Sequence, residues 1–180
     1  MNDKGQAIVL AVGGGIAAYK SAILCSRMVQ NGHDVSVVMT HASTQFVGEA
    51  TFSALSGKPV ATNLFDKRFP LGSHIQLAKN ASLLVVAPAT ANVLAKFACG
   101  LADDLLTTLY LQVSCPVLLA PAMSSQMWEK PSVKRNVQQL VKDGCTLVGP
   151  ESGWLSCRQK GDGRMSEPST ILAEAEKLVS

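Results

Sequence analysis

The sequence predicts an α/β fold: a doubly wound parallel sheet of five or six strands with helices on both faces. Three observations predict it. Short apolar, β-branched runs (Ile8–Val12, Val35–Met39, Leu83–Ala87, Val117–Ala120 and Cys145–Val148) recur along the chain. None shows the regular polar alternation of a sheet with one wet face, so they read as strands covered on both sides. Segments of helical period separate successive runs, and the first run stops at Gly13-Gly14-Gly15 before the helical residues Ile16–Lys20.

The first helix is expected over 17–31, with Ile16, Tyr19, Ile23, Leu24 and Met28 on one buried face and Gly32 as its stop. A second is expected around 43–56, ended by Gly57 and Pro59. Residues 63–73 read as loop, because Pro, Gly, Asp and Asn collect there, with Phe65 and Phe69 exposed. Residues 74–79 make one or two helical turns. Further helices are expected over 93–99 and from Asp103 to Tyr110, the acidic pair Asp103-Asp104 standing at the favourable end of the helix dipole. Another runs from Pro131 to Asp143, with proline in its first turn. The stretch 149–165 has no periodicity and four glycines. It reads as structureless, a flexible cover over a site spanning about 149–166. Residues 168–179 close the chain as an amphipathic helix, and the whole of 1–180 reads as a single domain.

Composition narrows the function. Apolar residues make up 47% of the chain and charged ones 16%, and the mean hydropathy is slightly positive. That is apolar for a soluble monomer and argues that surface is hidden in a homo-oligomer. The net charge of +3 is spread over scattered Lys and Arg, which argues against nucleic acid as a partner. No run reaches the roughly 18 apolar residues of a membrane helix, and no signal-peptide core is visible. The five cysteines include no C-x-x-C pair, which argues against a disulfide framework and against a metal site. A reducing, cytoplasmic setting is expected, with most cysteines serving as small apolar filler.

A strand, a glycine turn and a helix aim backbone N–H groups and a positive dipole end at one spot, which suits a phosphate. Gly13, Gly15 and Ala18 also fit the G-x-G-x-x-A spacing of dinucleotide sites. A tight turn without ligand is the alternative. The second strand runs into Thr40-His41-Ala42-Ser43 with no acidic residue to hold ribose hydroxyls, which disfavours NAD and favours a mononucleotide such as FMN. The other strand ends, 88–92 and 121–128, are likewise rich in small and hydroxylated residues. Such ends leave room for a flat ring system and offer hydrogen bonds to its edge.

His74 is the candidate acid/base, a capping or surface role being its alternative. His33 reads as surface, and His41 as a neighbour of a phosphate or ribityl chain. Cys157 stands apart from the other cysteines in the glycine-rich tail, beside Arg158 and Lys160, and is the candidate reactive thiol, an incidental exposed thiol being its alternative. Met123, Met127 and Trp128 are assigned to a pocket or a subunit contact, with core filler as the alternative, and Lys20 to a solvated helix face.

Five segments together resemble one family. They are GGIAAYK (14–20), SHIQLAK (73–79), APATANVLAKFACGLADDLLTT (87–108), PAMSSQMW (121–128), and the tail Cys157 with GDGRM (161–165). In this order they are similar to the homo-oligomeric flavin-containing cysteine decarboxylases. The resemblance implies a flavodoxin-like (Rossmann-like) domain assembled as a homotrimer or dodecamer, with FMN bound between subunits. It implies that Gly14, Gly15 and Ile16 hold the FMN phosphate. Thr40, His41 and Ala42 would lie along the cofactor, as would Thr90, Ala91, Asn92 and Val93, with Ala122 near the ring. His74 would be the catalytic acid/base and Cys157 the proton donor, with Ser124, Trp154, Leu155 and Ser156 on the substrate.

The implied activity is decarboxylation of a small molecule, 4′-phosphopantothenoylcysteine, to phosphopantetheine in coenzyme A biosynthesis, by transient oxidation of the thiol to a thioaldehyde. A peptidyl C-terminal cysteine as substrate, a regulatory FMN-binding homologue without catalysis and a flavin prenyltransferase are the alternatives. The chain departs from the family at two places. Ser124 stands where the family has an Asn on the substrate carboxylate, and Ser156-Cys157-Arg158 replaces Ala-Cys-Gly.

Overall fold

The computed structural model describes residues 5–180. Strands β1 (Ala7–Val12), β2 (Asp34–Met39), β3 (Leu83–Ala89), β4 (Val117–Pro121) and β5 (Thr146–Leu147) form one sheet in the order β2-β1-β3-β4-β5. Every neighbouring pair is parallel. The expected doubly wound sheet is therefore present, with the flavodoxin-like order.

Parallel strands cannot be joined by tight turns, so helices return the chain and cover both faces. Alternate residues of β1 divide between two cores. Ile8, Leu10 and Val12 pack with α1 (Ala18–Gln30) and α8 (Pro168–Val179) through Leu24, Met28 and Ile171. Val9 and Ala11 face the other core, built from α4 (Ala91–Ala98), α5 (Leu105–Gln112) and α7 (Pro131–Lys142) through Leu94, Phe97, Leu109 and Leu140. Phe52 of α2 (Glu49–Ser56) joins the first core. Leu77 of α3 (Ser73–Lys79) packs against the second.

Several elements differ from expectation for local reasons. The helix expected over 43–56 divides into a 3-10 turn, His41–Gln45, and α2. Thr40 caps the first piece, its Oγ1 accepting from Ser43 N at 3.2 Å, and Gly48 interrupts the ladder before the second. Asp104, expected inside a helix, is instead the N-cap of α5, in a reciprocal box with Thr107. Its neighbour Asp103 pairs with Lys96 Nζ at 2.8 Å.

The buried face of α1 is not the one the large side chains suggested. Leu24 and Met28 are fully buried, but Tyr19 and Ile23 are exposed at 54% and 43%, and Ile16, just before the helix, at 57%. The small residues Ala18, Ser21 and Cys25 carry the contact, because they let the helix approach the sheet closely. Of the two loop phenylalanines, Phe65 is exposed and Phe69 is packed against the second core.

Two elements had no sequence signal. A four-residue helix α6 (Ser125–Trp128) follows β4. The tail read as structureless folds into an antiparallel hairpin of β6 (Glu151–Trp154) and β7 (Lys160–Arg164), with Trp154 opposite Lys160. Its strands are too short and too polar to show period-2 patterning. Backbone pairing and docking on the β4–α6 connection form it.

Candidate active site at the carboxyl ends of the strands

β1 lies between β2 and β3, and the chain leaves β1 and β3 in opposite directions, the switch point at which open α/β sheets bind ligands. The loop after β1 is drawn tightly against its neighbours. Gly13 N donates to Pro88 O at 3.2 Å, and a Cβ on Gly13 would stand 2.3 Å from that oxygen. A Cβ on Gly14 would stand 2.3 Å from Ala42 Cβ. Both glycines are thus demanded by crossing backbones. Gly15 is different, since a Cβ there would meet only Thr90 Cγ2, at 3.8 Å.

The backbone N–H groups of Gly14, Gly15, Ile16 and Ala17 meet no acceptor among the described residues, and no side chain caps α1. Four free amides at the positive end of a thirteen-residue helix are a geometry suited to an anion.

These amides open on a cavity of about 570 Å³, the size of a small-molecule or cofactor site. Of the expected cofactor residues, Gly14, Gly15, Ile16, Thr90, Ala91, Asn92 and Ala122 line it. Of the expected substrate residues, Ser124, Trp154, Leu155 and Ser156 line it too. Met123 N donates to Gly163 O at 2.9 Å, which staples the hairpin to the end of β4 and brings these two sets together.

Other expected residues fall outside the cavity wall. Thr40 Oγ1 also reaches Val12 O at 3.3 Å, tying β2 to β1, while His41 and Ala42 are exposed, Ala42 packed against Gly14. Val93 is buried in the core beneath. Cys157 is exposed on the hairpin turn, one residue from the wall. His74 is half-buried on α3, away from this wall, and its Nδ1 is enclosed without a hydrogen-bond partner.

Lys20, expected in solvent, is 5% exposed and lines the cavity. Its Nζ donates to Met165 O at 3.0 Å and to Glu167 Oε1 at 2.8 Å. Arg164, another wall residue, donates to the same Glu167 oxygen at 2.6 Å. The Lys20 hydrogen bond, with help from Arg164, holds the Glu167 carboxyl below its ordinary range. Lys20 and its partners are some 145 residues apart in sequence, so no local pattern announces the pairing.

Among the other cysteines, burial pushes the Cys25 thiol up to about 11 and raises Cys115 and Cys145 as well. Cys99 is exposed, contrary to a filler role. Among the described residues no cluster of His, Cys, Asp or Glu is arranged for a metal, and no helix is long and apolar enough to cross a membrane.

The profile of the family described as Flavoprotein matches residues 1–180. The chain belongs to the Flavoprotein family. Over 171 residues it is 47% identical to the coenzyme A biosynthesis bifunctional protein CoaBC of Bacillus subtilis, covering 94% of this chain and 42% of that relative. The corresponding Vibrio cholerae protein is 45% identical, covering 97% of this chain and 44% of the relative. This Flavoprotein chain thus spans less than half the length of the curated relatives it matches. A solved PPC decarboxylase variant complexed with pantothenoylaminoethenethiol superposes with a TM-score of 0.85 at 31% identity, covering 96% of this chain and 97% of that one. The FMN-dependent cysteine decarboxylase SpaF superposes equally well, with a TM-score of 0.85 at 30% identity, covering 98% and 99%.

Proposed function

We propose that this chain is an FMN-dependent decarboxylase of 4′-phosphopantothenoylcysteine, working in coenzyme A biosynthesis and in the cytoplasm. One observation carries the reading. A single cavity joins the free amides of Gly14–Ala17 to the hairpin residues beside Cys157. The similarity to CoaBC and to a PPC decarboxylase supports the choice of substrate.

The residues fit a flavin mononucleotide. The amides and the α1 dipole suit its phosphate. Gly15 leaves open the space that a side chain would fill, and Thr90, Ala91, Asn92 and Ala122 provide a low, partly polar wall for the ring system. When bound, FMN supplies a reversible two-electron acceptor, which an N-acylcysteine carboxylate needs and does not itself possess.

The chain's own groups then divide the work. His74 takes the substrate thiol proton as the CH2–SH group is oxidised to a thioaldehyde. The carboxylate is now beta to a thiocarbonyl and leaves as CO2, its electron pair moving into an enethiolate. Cys157 delivers the proton as the enethiol is reduced to the saturated aminothiol, so the substrate undergoes no net oxidation. Ser124, Trp154, Leu155 and Ser156 hold the substrate against this chemistry. The hairpin, spanning about 149–166 with its flanks, acts as the cover that excludes water.

His74 lies off the cavity wall of its own chain, which supports a site completed by the imidazole of a second copy. Ile16 and Tyr19 support the same reading, since they line the cavity and yet are more than half exposed. A homotrimer or a dodecamer of four trimers would cover them.

The deciding experiment is incubation of the FMN-loaded protein with 4′-phosphopantothenoylcysteine while CO2 and the aminothiol are followed. Both products at stoichiometry are expected. Absence of turnover with FMN retained would instead establish a regulatory FMN-binding homologue, the reading that Ser124 favours because its hydroxyl offers fewer hydrogen bonds than an amide.

A further inference from the structure

Arg158 is the one non-glycine residue with positive φ among the described residues, at 62°. This is the left-handed region that favours glycine. The turn holds it there, with Arg158 N donating to Leu155 O at 2.9 Å and Leu155 N donating to Gln159 O at 2.9 Å. Glycine would occupy the position without strain, so the side chain is present despite a local cost, and such outliers gather at functional sites.

The guanidinium is exposed and makes no ion pair or hydrogen bond among the described residues, and neither does the ammonium of Lys160. One unpaired cation therefore stands within the turn and another just after it, and the turn itself contains no carboxylate. The turn adjoins the substrate cavity, whose wall includes Leu155 and Ser156. β7 continues alongside the β4–α6 connection. A Cβ at Gly161 would stand 2.2 Å from Ser125 Oγ, and one at Gly163 would stand 3.4 Å from the backbone carbon of Ser124.

Ser124, the polar wall residue on that connection, offers one hydroxyl and no charge, whereas a carboxylate is best held by a cation with paired donors. Arg158 follows Cys157 directly, on the exposed turn that borders the cavity, two residues beyond Ser156, the last residue of that turn to line it. We propose that Arg158 binds the substrate carboxylate and supplies the charge that the Ser124 hydroxyl lacks. The assignment rests on the decarboxylase reading. It makes the hairpin a recognition element for the group that is lost.

The test is steady-state kinetics of Arg158→Gly and Arg158→Lys in the FMN-loaded enzyme, with phosphorylated and dephosphorylated pantothenoylcysteine as substrates and phosphopantetheine as product inhibitor. Arg158→Gly is expected to raise KM about tenfold for both substrates, with a smaller effect on kcat, since a charge-assisted pair is lost. Inhibition by phosphopantetheine, which has no carboxylate, should weaken far less. Arg158→Lys should recover part of the loss, as should Ser124→Asn introduced into Arg158→Gly. Thermal stability should not fall, since glycine relaxes the turn. A KM rise confined to the phosphorylated substrate would assign the guanidinium to the phosphate and overturn the proposal. An unchanged KM, or equal weakening of phosphopantetheine, would also overturn it. A parent enzyme that turns over neither substrate would refute the decarboxylase reading and this assignment together.

Discussion

Lys20 Nζ stands 2.8 Å from Glu167 Oε1, joining the first turn of α1 to the start of α8 across 147 positions of sequence. The same ammonium holds the Met165 carbonyl, so one buried cation fixes the base of the hairpin to the helix that follows the glycine turn.

Lys20→Met removes that cation while keeping much of its volume. The Met165 carbonyl loses its donor and Glu167 retains only Arg164, for an expected loss of about 1–3 kcal/mol. Because Glu167 has a lowered folded pKa, its contribution is present above the ordinary carboxylate range and is lost as pH falls through the folded value. The Tm of the parent should therefore fall more steeply on acidification than that of Lys20→Met. Parallel Tm profiles would exclude the linkage.

Gly14→Ala and Gly15→Ala should behave oppositely. The first drives a Cβ into Ala42 and should cost about 1–3 kcal/mol of stability, read as a lower Tm. The second meets only Thr90 Cγ2 at 3.8 Å, so the Tm of the FMN-free protein should be nearly unchanged while FMN occupancy drops, measured from the visible absorbance of the purified protein. Equal loss of stability in both would refute the distinction.

His74→Asn should abolish CO2 release with FMN retained, and Cys157→Ser should release the oxidised enethiol instead of the saturated product. Since His74 lies off its own cavity wall, hybrids assembled from the two variants should regain activity that neither possesses alone. Failure of mixed oligomers to form the saturated product would place His74 and Cys157 in the site of one chain.

The two faces of α1 can be separated by mutation. Leu24→Ala opens a void in a fully buried position and should cost about 2–5 kcal/mol. Ile23→Ala, on the exposed face, should leave chemical denaturation of the monomer nearly unchanged but lower the oligomer mass measured by light scattering. Unchanged mass would remove this face from the subunit contact.

Much of the fold was legible because parallel strands buried on both sides need unbroken apolar runs, and Leu83–Ala87 or Val117–Ala120 have few other uses in a chain of this kind. The glycine turn was legible for a similar reason, since crossing backbones tolerate no Cβ at Gly13 or Gly14. The hairpin was not legible. Sequences such as Lys160–Arg164 become strands only through a partner strand and a docking surface. The buried face of α1 was misread because large apolar side chains outweigh Ala18, Ser21 and Cys25 in any pattern, although smallness is what permits close packing.

By itself, the sequence determined the five parallel strands with most of the helices between them, the glycine turn and the residue types brought to the strand ends, since these depend on local periodicity and backbone sterics. Only the tertiary structure decided that Lys20 is buried against Glu167, that Arg158 is held in a glycine-like conformation and that His74 lies off its own chain's cavity. Each of these depends on segments distant in sequence approaching to within a few ångströms, and no local pattern encodes such distances.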